Sequence, residues 1–161
     1  RGIVMLKYQN IFNIVMRYII LGLWCFFEFV ITNNYLVAVV YEEVFPNGFS
    51  ESEKLSIDFI PNVVTALSSV IYFLVILYAI VLIYIYIKEN NVWNYIKNVL
   101  LLALGFVVIF QARFMTVNIY DINDLAHFKR CMNSLVLGCI IVLLIYLYRK
   151  WKKDKLNPNS N

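Results

Sequence analysis

Two charges stand where hydrocarbon is expected. Glu28 lies within Tyr18–Tyr41, a 24-residue stretch that is apolar almost throughout, and Arg113 is the only charge in Asn98–Tyr120. At about 1.5 Å per residue, either stretch is long enough to cross a hydrocarbon layer about 30 Å thick. An ionised side chain at that depth costs at least a few kcal/mol unless it is paired, protonated or hydrated. A carboxylate and a guanidinium placed there can fix helix register as an ion pair, or meet the polar end of an amphipathic ligand. Catalysis has thinner support. The chain contains no G-x-S-x-G, H-E-x-x-H, phosphate-binding loop or dinucleotide fingerprint, so a non-enzymatic role is expected.

Other polar residues gather around the two charges when each is marked by depth. On the first apolar stretch Glu28, Thr32 and Tyr35 are spaced by four and three, which puts them on one helical face, with Asn33 and Asn34 nearby. The second carries Asn62, Thr65, Ser69 and Tyr72 at similar spacing. The third carries Arg113, Thr116 and Tyr120, with Gln111 and Asn118 on a different side, and the fourth has Asn133 and Ser134 near its start. All fall at the midplane or in the half away from the termini. Residues 19–27, 73–87, 99–110 and 139–147, in the other half, supply only Tyr hydroxyls, Trp24, cysteines and hydrocarbon.

Polar groups in lipid must find partners, so these should turn towards one another. The expected arrangement is a polar cluster or pocket of Glu28, Thr32, Tyr35, Thr65, Ser69, Tyr72, Gln111, Arg113, Thr116 and Asn133, opening outwards above a dry inner plug. By rise per residue Glu28 lies roughly 16 Å above the inner boundary and Arg113 roughly 24 Å. An inward-directed arginine side chain closes that offset if the first and third helices are neighbours. Otherwise Arg113 snorkels outwards and Glu28 is protonated against Tyr or Thr, or one of them meets another chain.

The elements that position these residues follow from composition. The chain has 161 residues, 62% hydrophobic and 15% charged, against about 25% charged in a soluble domain. The expected fold is an all-α integral membrane bundle of four helices, at Tyr18–Tyr41, Phe59–Ile87, Asn98–Tyr120 and Cys131–Tyr148, the last beginning nearer Leu125. Pro61 suits a helical first turn. Glu42–Asp58 reads as an acidic loop with a Pro46-Asn47-Gly48 turn, Lys88–Lys97 as a connection whose Trp93 and Tyr95 are interface anchors, and Asp121–Arg130 as a connection with Asp121 and Asn123 as caps and a solvated His127.

Residues 1–17 alternate polar and apolar groups at helical spacing. They form either an amphipathic interfacial segment or an early start of the first transmembrane helix near Ile11. Residues 18–148 make the four-helix domain, and 149–161 a basic polar tail expected to be disordered from Leu156. No cleavable secretory signal is evident. The N-terminal segment, second connection and tail hold ten Lys or Arg against three in the other connections, which predicts both termini on the cytoplasmic or matrix side.

Cys25, Cys131 and Cys139 form no C-x-x-C pair and read as packing residues, and a lone histidine excludes haem ligation by a histidine pair within this chain. No cofactor, metal or nucleic acid is implied. The inner half lacks the polar lining of a monomeric aqueous pore, and no internal repeat suggests a carrier. Two functions remain. The first is an accessory or structural subunit of a membrane complex, contacting lipid and other membrane subunits. The second is a small receptor or carrier for a lipid head group, quinone or other amphipathic ligand. The Phe, Tyr and Ile bias resembles organelle-encoded subunits of respiratory complexes in protists and equally suits AT-rich bacteria. The expected location is therefore a bacterial cytoplasmic or mitochondrial inner membrane.

Overall fold

The computed structural model describes the backbone of residues 2–32, 50–116 and 122–156, and the side chains of residues 9, 11–30, 50, 59, 62–115 and 125–156. Within them the chain is almost entirely helical: α1 (Gly2–Phe26) continued by a π segment (Phe27–Thr32), α2 (Glu51–Glu89), α3 (Val92–Thr116) and α4 (Ile122–Leu156). Each has a window long and apolar enough to cross a membrane, at Ile11–Val30, Asn62–Glu89, Val92–Met115 and Leu125–Leu156.

Several boundaries differ from expectation because polar residues of good helix propensity extend the helices beyond the apolar windows. The expected acidic loop is helical from Glu51 onwards, and Pro61 falls inside α2 rather than in a first turn. Residues 42–49, with the Pro46-Asn47-Gly48 turn, lie outside the described residues, as do 33–41 of the expected first span. At the N-terminus α1 runs unbroken across position 17, and its apolar window opens at Ile11. The expected connection 121–130 is helical from Ile122, and α4 continues through the basic stop to Leu156.

Between α2 and α3 only Asn90 and Asn91 are non-helical. Asn90 adopts φ 54°, the left-handed conformation that ends helices, and its N–H donates to the Tyr86 carbonyl at 2.8 Å. Asn91 then caps α3: its Oδ1 accepts from the Asn94 N–H at 3.0 Å.

One face of α2, Ser68, Ile71, Val75, Tyr78, Leu82 and Ile85, recurs every three or four residues and is buried along its length. It meets Ile20, Trp24 and Phe27 of the first helix, Val99, Leu102 and Phe106 of α3, and Leu135 and Val142 of α4 in one continuous core. Tyr95, expected as an interface anchor, is 3% exposed and packs edge-on against Tyr86, 6.3 Å between ring centroids. Trp93 is exposed.

Three basic contacts gather the ends. Arg17 Nη1 approaches Asn98 Oδ1 at 3.5 Å, while Arg149 donates to Asn90 Oδ1 at 2.8 Å and to the Ile87 carbonyl at 2.9 Å. The start of the apolar α1 window, the α2–α3 turn and the C-terminal turns of α4 therefore share one end of the bundle.

Candidate functional site

At the opposite end from those contacts, α1 loosens into the π segment as it reaches Phe27. A π turn spends one more residue than an α turn, so it shifts which side chains face the neighbouring helices. Phe27 and Glu28 are both fully buried there, while Phe29 and Val30 are exposed. From α3, Arg113 reaches back and its Nη1 donates to Glu28 Oε2 at 3.2 Å. Glu28 is 0% exposed and Arg113 4%, so the pair is closed within the protein.

Packing below the pair sets its register. Leu21 lies against Gly105, where an added Cβ would come within 2.6 Å of a Leu21 methyl, and Trp24 packs at a tilt of 55° against Phe106, 4.8 Å between ring centroids. Continued upwards, these contacts leave Glu28 and Arg113 within about 2–5 Å of the same level, less than the expected offset. An arginine side chain spans that distance easily.

An aromatic collar closes the site from below and from α4. Trp24 contacts Phe27 at 5.5 Å and Phe128 at 6.4 Å, and Phe128 stacks on Phe110 at 4.9 Å. His127, expected in a solvated connection, lies within α4, half-buried and edge-on to Phe27 at 6.0 Å. These apolar walls lower the local dielectric, which strengthens the attraction between the two charges and raises the cost of leaving either alone.

The remaining polar residues of the expected cluster that are described do not reach this pair. Thr65, Ser69, Tyr72, Gln111 and Asn133 are exposed on the bundle surface, and so is Asn62. Their hydroxyls need no inward turn: Ser69 donates to the Thr65 carbonyl at 2.7 Å, and Ser134 to the Arg130 carbonyl at 3.0 Å. The α2 serine that does face inwards is Ser68, outside the expected stripe, donating to the Thr65 carbonyl at 3.0 Å. The side chains of Thr32, Tyr35 and Thr116 lie outside the described residues, as do Asn33, Asn34, Asn118 and Tyr120.

A second polar group, not anticipated, sits at the basic end. Asn13 and Asn98 are buried, and Arg17, Asn94 and Lys97 stand beside them. The signal was present as two i, i+4 pairs, Asn13 with Arg17 and Asn94 with Asn98. Both pairs border the expected spans, Asn13 and Arg17 in the expected interfacial segment, Asn94 in the expected second connection and Asn98 opening the third span. Among the described residues, no three His, Cys, Asp or Glu side chains form a metal-binding group. The chain matches no protein-family model, no curated protein and no solved structure.

Proposed function

We propose that the chain is a non-catalytic accessory subunit of a membrane protein complex, held by four transmembrane helices with both termini on the cytoplasmic or matrix side. The observation that supports it is the closure of the Glu28–Arg113 pair, with both side chains within 5% of full burial. A charged pair reserved for a ligand has to be reachable; a sealed pair instead locks α1 against α3. Around it the bundle presents large outward side chains, among them Phe12, Phe26, Phe73, Tyr84 and Phe114, that can pack against neighbouring chains. The gathering of Arg17, Arg149 and the tail lysines at one end supports the orientation.

Extraction in mild detergent tests this function. Co-purification with defined membrane partners, lost when Phe73 and Tyr84 are replaced by Ala, is the expected result. A stable, monodisperse monomer that no partner accompanies overturns it.

A second function, a small receptor for an amphipathic ligand, draws on the π segment that carries Glu28, since such turns concentrate at functional sites. It requires the pair to open. Ligand-dependent protection of Arg113 from exchange supports that function, and unchanged protection with lipid or quinone counts against it.

A further inference from the structure

The basic end of the bundle contains a cleft of about 390 Å³ lined by Asn13, Ile14 and Arg17 of α1 and by Asn94, Lys97, Asn98 and Leu101 of α3. It differs in kind from the apolar grooves between α2 and α4 and between α3 and α4, whose walls are almost wholly hydrocarbon. We propose that this cleft binds the phosphate of an anionic phospholipid head group.

Four observations carry the proposal. The cleft has two cationic side chains, Arg17 and Lys97, and no acid among its described lining residues, while the Glu89 carboxylate accepts from the amide of the wall residue Asn94 at 3.2 Å. Among the described residues the Arg17 guanidinium makes one side-chain hydrogen bond, the long 3.5 Å approach of Nη1 to Asn98, and lies 5.9 Å from the Tyr18 ring centroid, which leaves most of its N–H donors for a ligand. Asn98 is already braced: its Nδ2 donates to the Asn94 carbonyl at 2.8 Å and to Asn94 Oδ1 at 3.1 Å, so one wall is pre-organised. Asn13 is 2% exposed, lines the cleft and has no hydrogen-bond partner for its Oδ1. A buried amide oxygen without a partner is costly; it accepts, so a head-group hydroxyl beside the phosphate can donate to it.

Position selects a lipid rather than a soluble phosphate. Asn13 and Arg17 lie in the first turns of the Ile11–Val30 window, and Asn94, Lys97 and Asn98 in those of Val92–Met115. That places the cleft at head-group depth if these windows cross the bilayer. Ile14 and Leu101 form its apolar flank and are themselves exposed outwards, as are the adjacent Tyr18 and Leu100. A phosphate bound between Arg17 and Lys97 would leave acyl chains lying along that flank. The proposal depends on the four helices crossing a membrane and is independent of whether the chain is a subunit or a receptor.

The test uses the full chain in a neutral detergent, titrated with dioleoyl phosphatidylglycerol, dioleoyl phosphatidylcholine or inorganic phosphate, and read by native mass spectrometry and thermal unfolding. Expected is retention of phosphatidylglycerol at least tenfold over phosphatidylcholine, with a rise in Tm. Lys97→Ala, whose side chain is exposed, and Arg17→Gln should each reduce that preference severalfold, and together abolish it. The tail variant Lys150→Ala/Lys153→Ala should retain it within twofold, since those lysines lie outside the cleft. Equal retention of both lipids overturns the proposal, and so does a tail variant as damaging as the cleft variants, which would mean diffuse charge attraction. Stabilisation by inorganic phosphate equal to that by phosphatidylglycerol would make the ligand a soluble anion and overturn the lipid assignment.

Discussion

Arg113 Nη1 and Glu28 Oε2 approach to 3.2 Å across the interface of α3 and the π segment, joining parts of the chain that are 85 residues apart. Neither charge is stable there alone. Truncating one partner of a buried pair typically costs about 3–5 kcal/mol, most of it the uncompensated charge left behind. Glu28→Gln and Arg113→Ala should therefore each destabilise the bundle strongly, and the double variant should be less harmful than the sum. Unfolding of all four proteins in mixed detergent micelles closes the cycle. Strict additivity would show that the two side chains do not interact in the membrane.

Leu21 and Gly105 make a size-complementary contact about two turns below the pair. Gly105→Ala brings a methyl into the Leu21 side chain, whose atoms would lie 2.6, 2.7 and 3.2 Å away. Because those atoms are mobile Cδ and Cγ groups, a modest loss of about 1–3 kcal/mol is expected. Leu21→Ala in the same chain should recover part of it. No recovery would mean that α1 and α3 pack elsewhere.

Trp24 and Trp93 should behave oppositely. Trp24 is fully buried within the Phe27, Phe106 and Phe128 collar, whereas Trp93 is 73% exposed near the turn. Trp24→Ala should cost about 3–5 kcal/mol, and Trp93→Ala should cost less than about 0.5 kcal/mol. Thermal unfolding of the two variants in the same detergent decides it; comparable losses would displace Trp24 from the core.

Asn90 holds a left-handed backbone that a β-branched residue resists. Asn90→Gly should be near neutral, the relief of φ 54° offsetting the lost Arg149 contact. Asn90→Val should lose about 1–2 kcal/mol. Asn91→Ala, which removes the cap on Asn94 N–H, should lose about 1 kcal/mol. Equal stability of the glycine and valine variants would exclude the left-handed turn.

Four helices long and apolar enough to cross a membrane were legible because runs of apolar residues longer than about 18 have few other uses in a chain. The meeting of Glu28 and Arg113 was legible for a related reason: isolated charges in such runs have few partners to choose from. Hydroxyls were not legible in this way. Ser69 and Ser134 answer their own helix four residues back, so their depth carries no information about their direction. Span ends were hidden as well. Asn13, Asn94 and Asn98 have low hydropathy and so seem to mark water, yet amides that bond within and between helices can lie inside the apolar windows. The π segment had no signal in the spacing, since a single register shift within Phe27–Thr32 moves no residue type out of place.

The two-residue connection at Asn90 and Asn91 restricts how this molecule can move. It joins α2 and α3 into a tight hairpin, and Arg149 of α4 is clamped onto its closed end at Asn90 and the Ile87 carbonyl. Independent sliding of either helix is blocked at that end, so any breathing of the assembly has to occur as splaying at the far rim, where α1 has given up α-helical geometry.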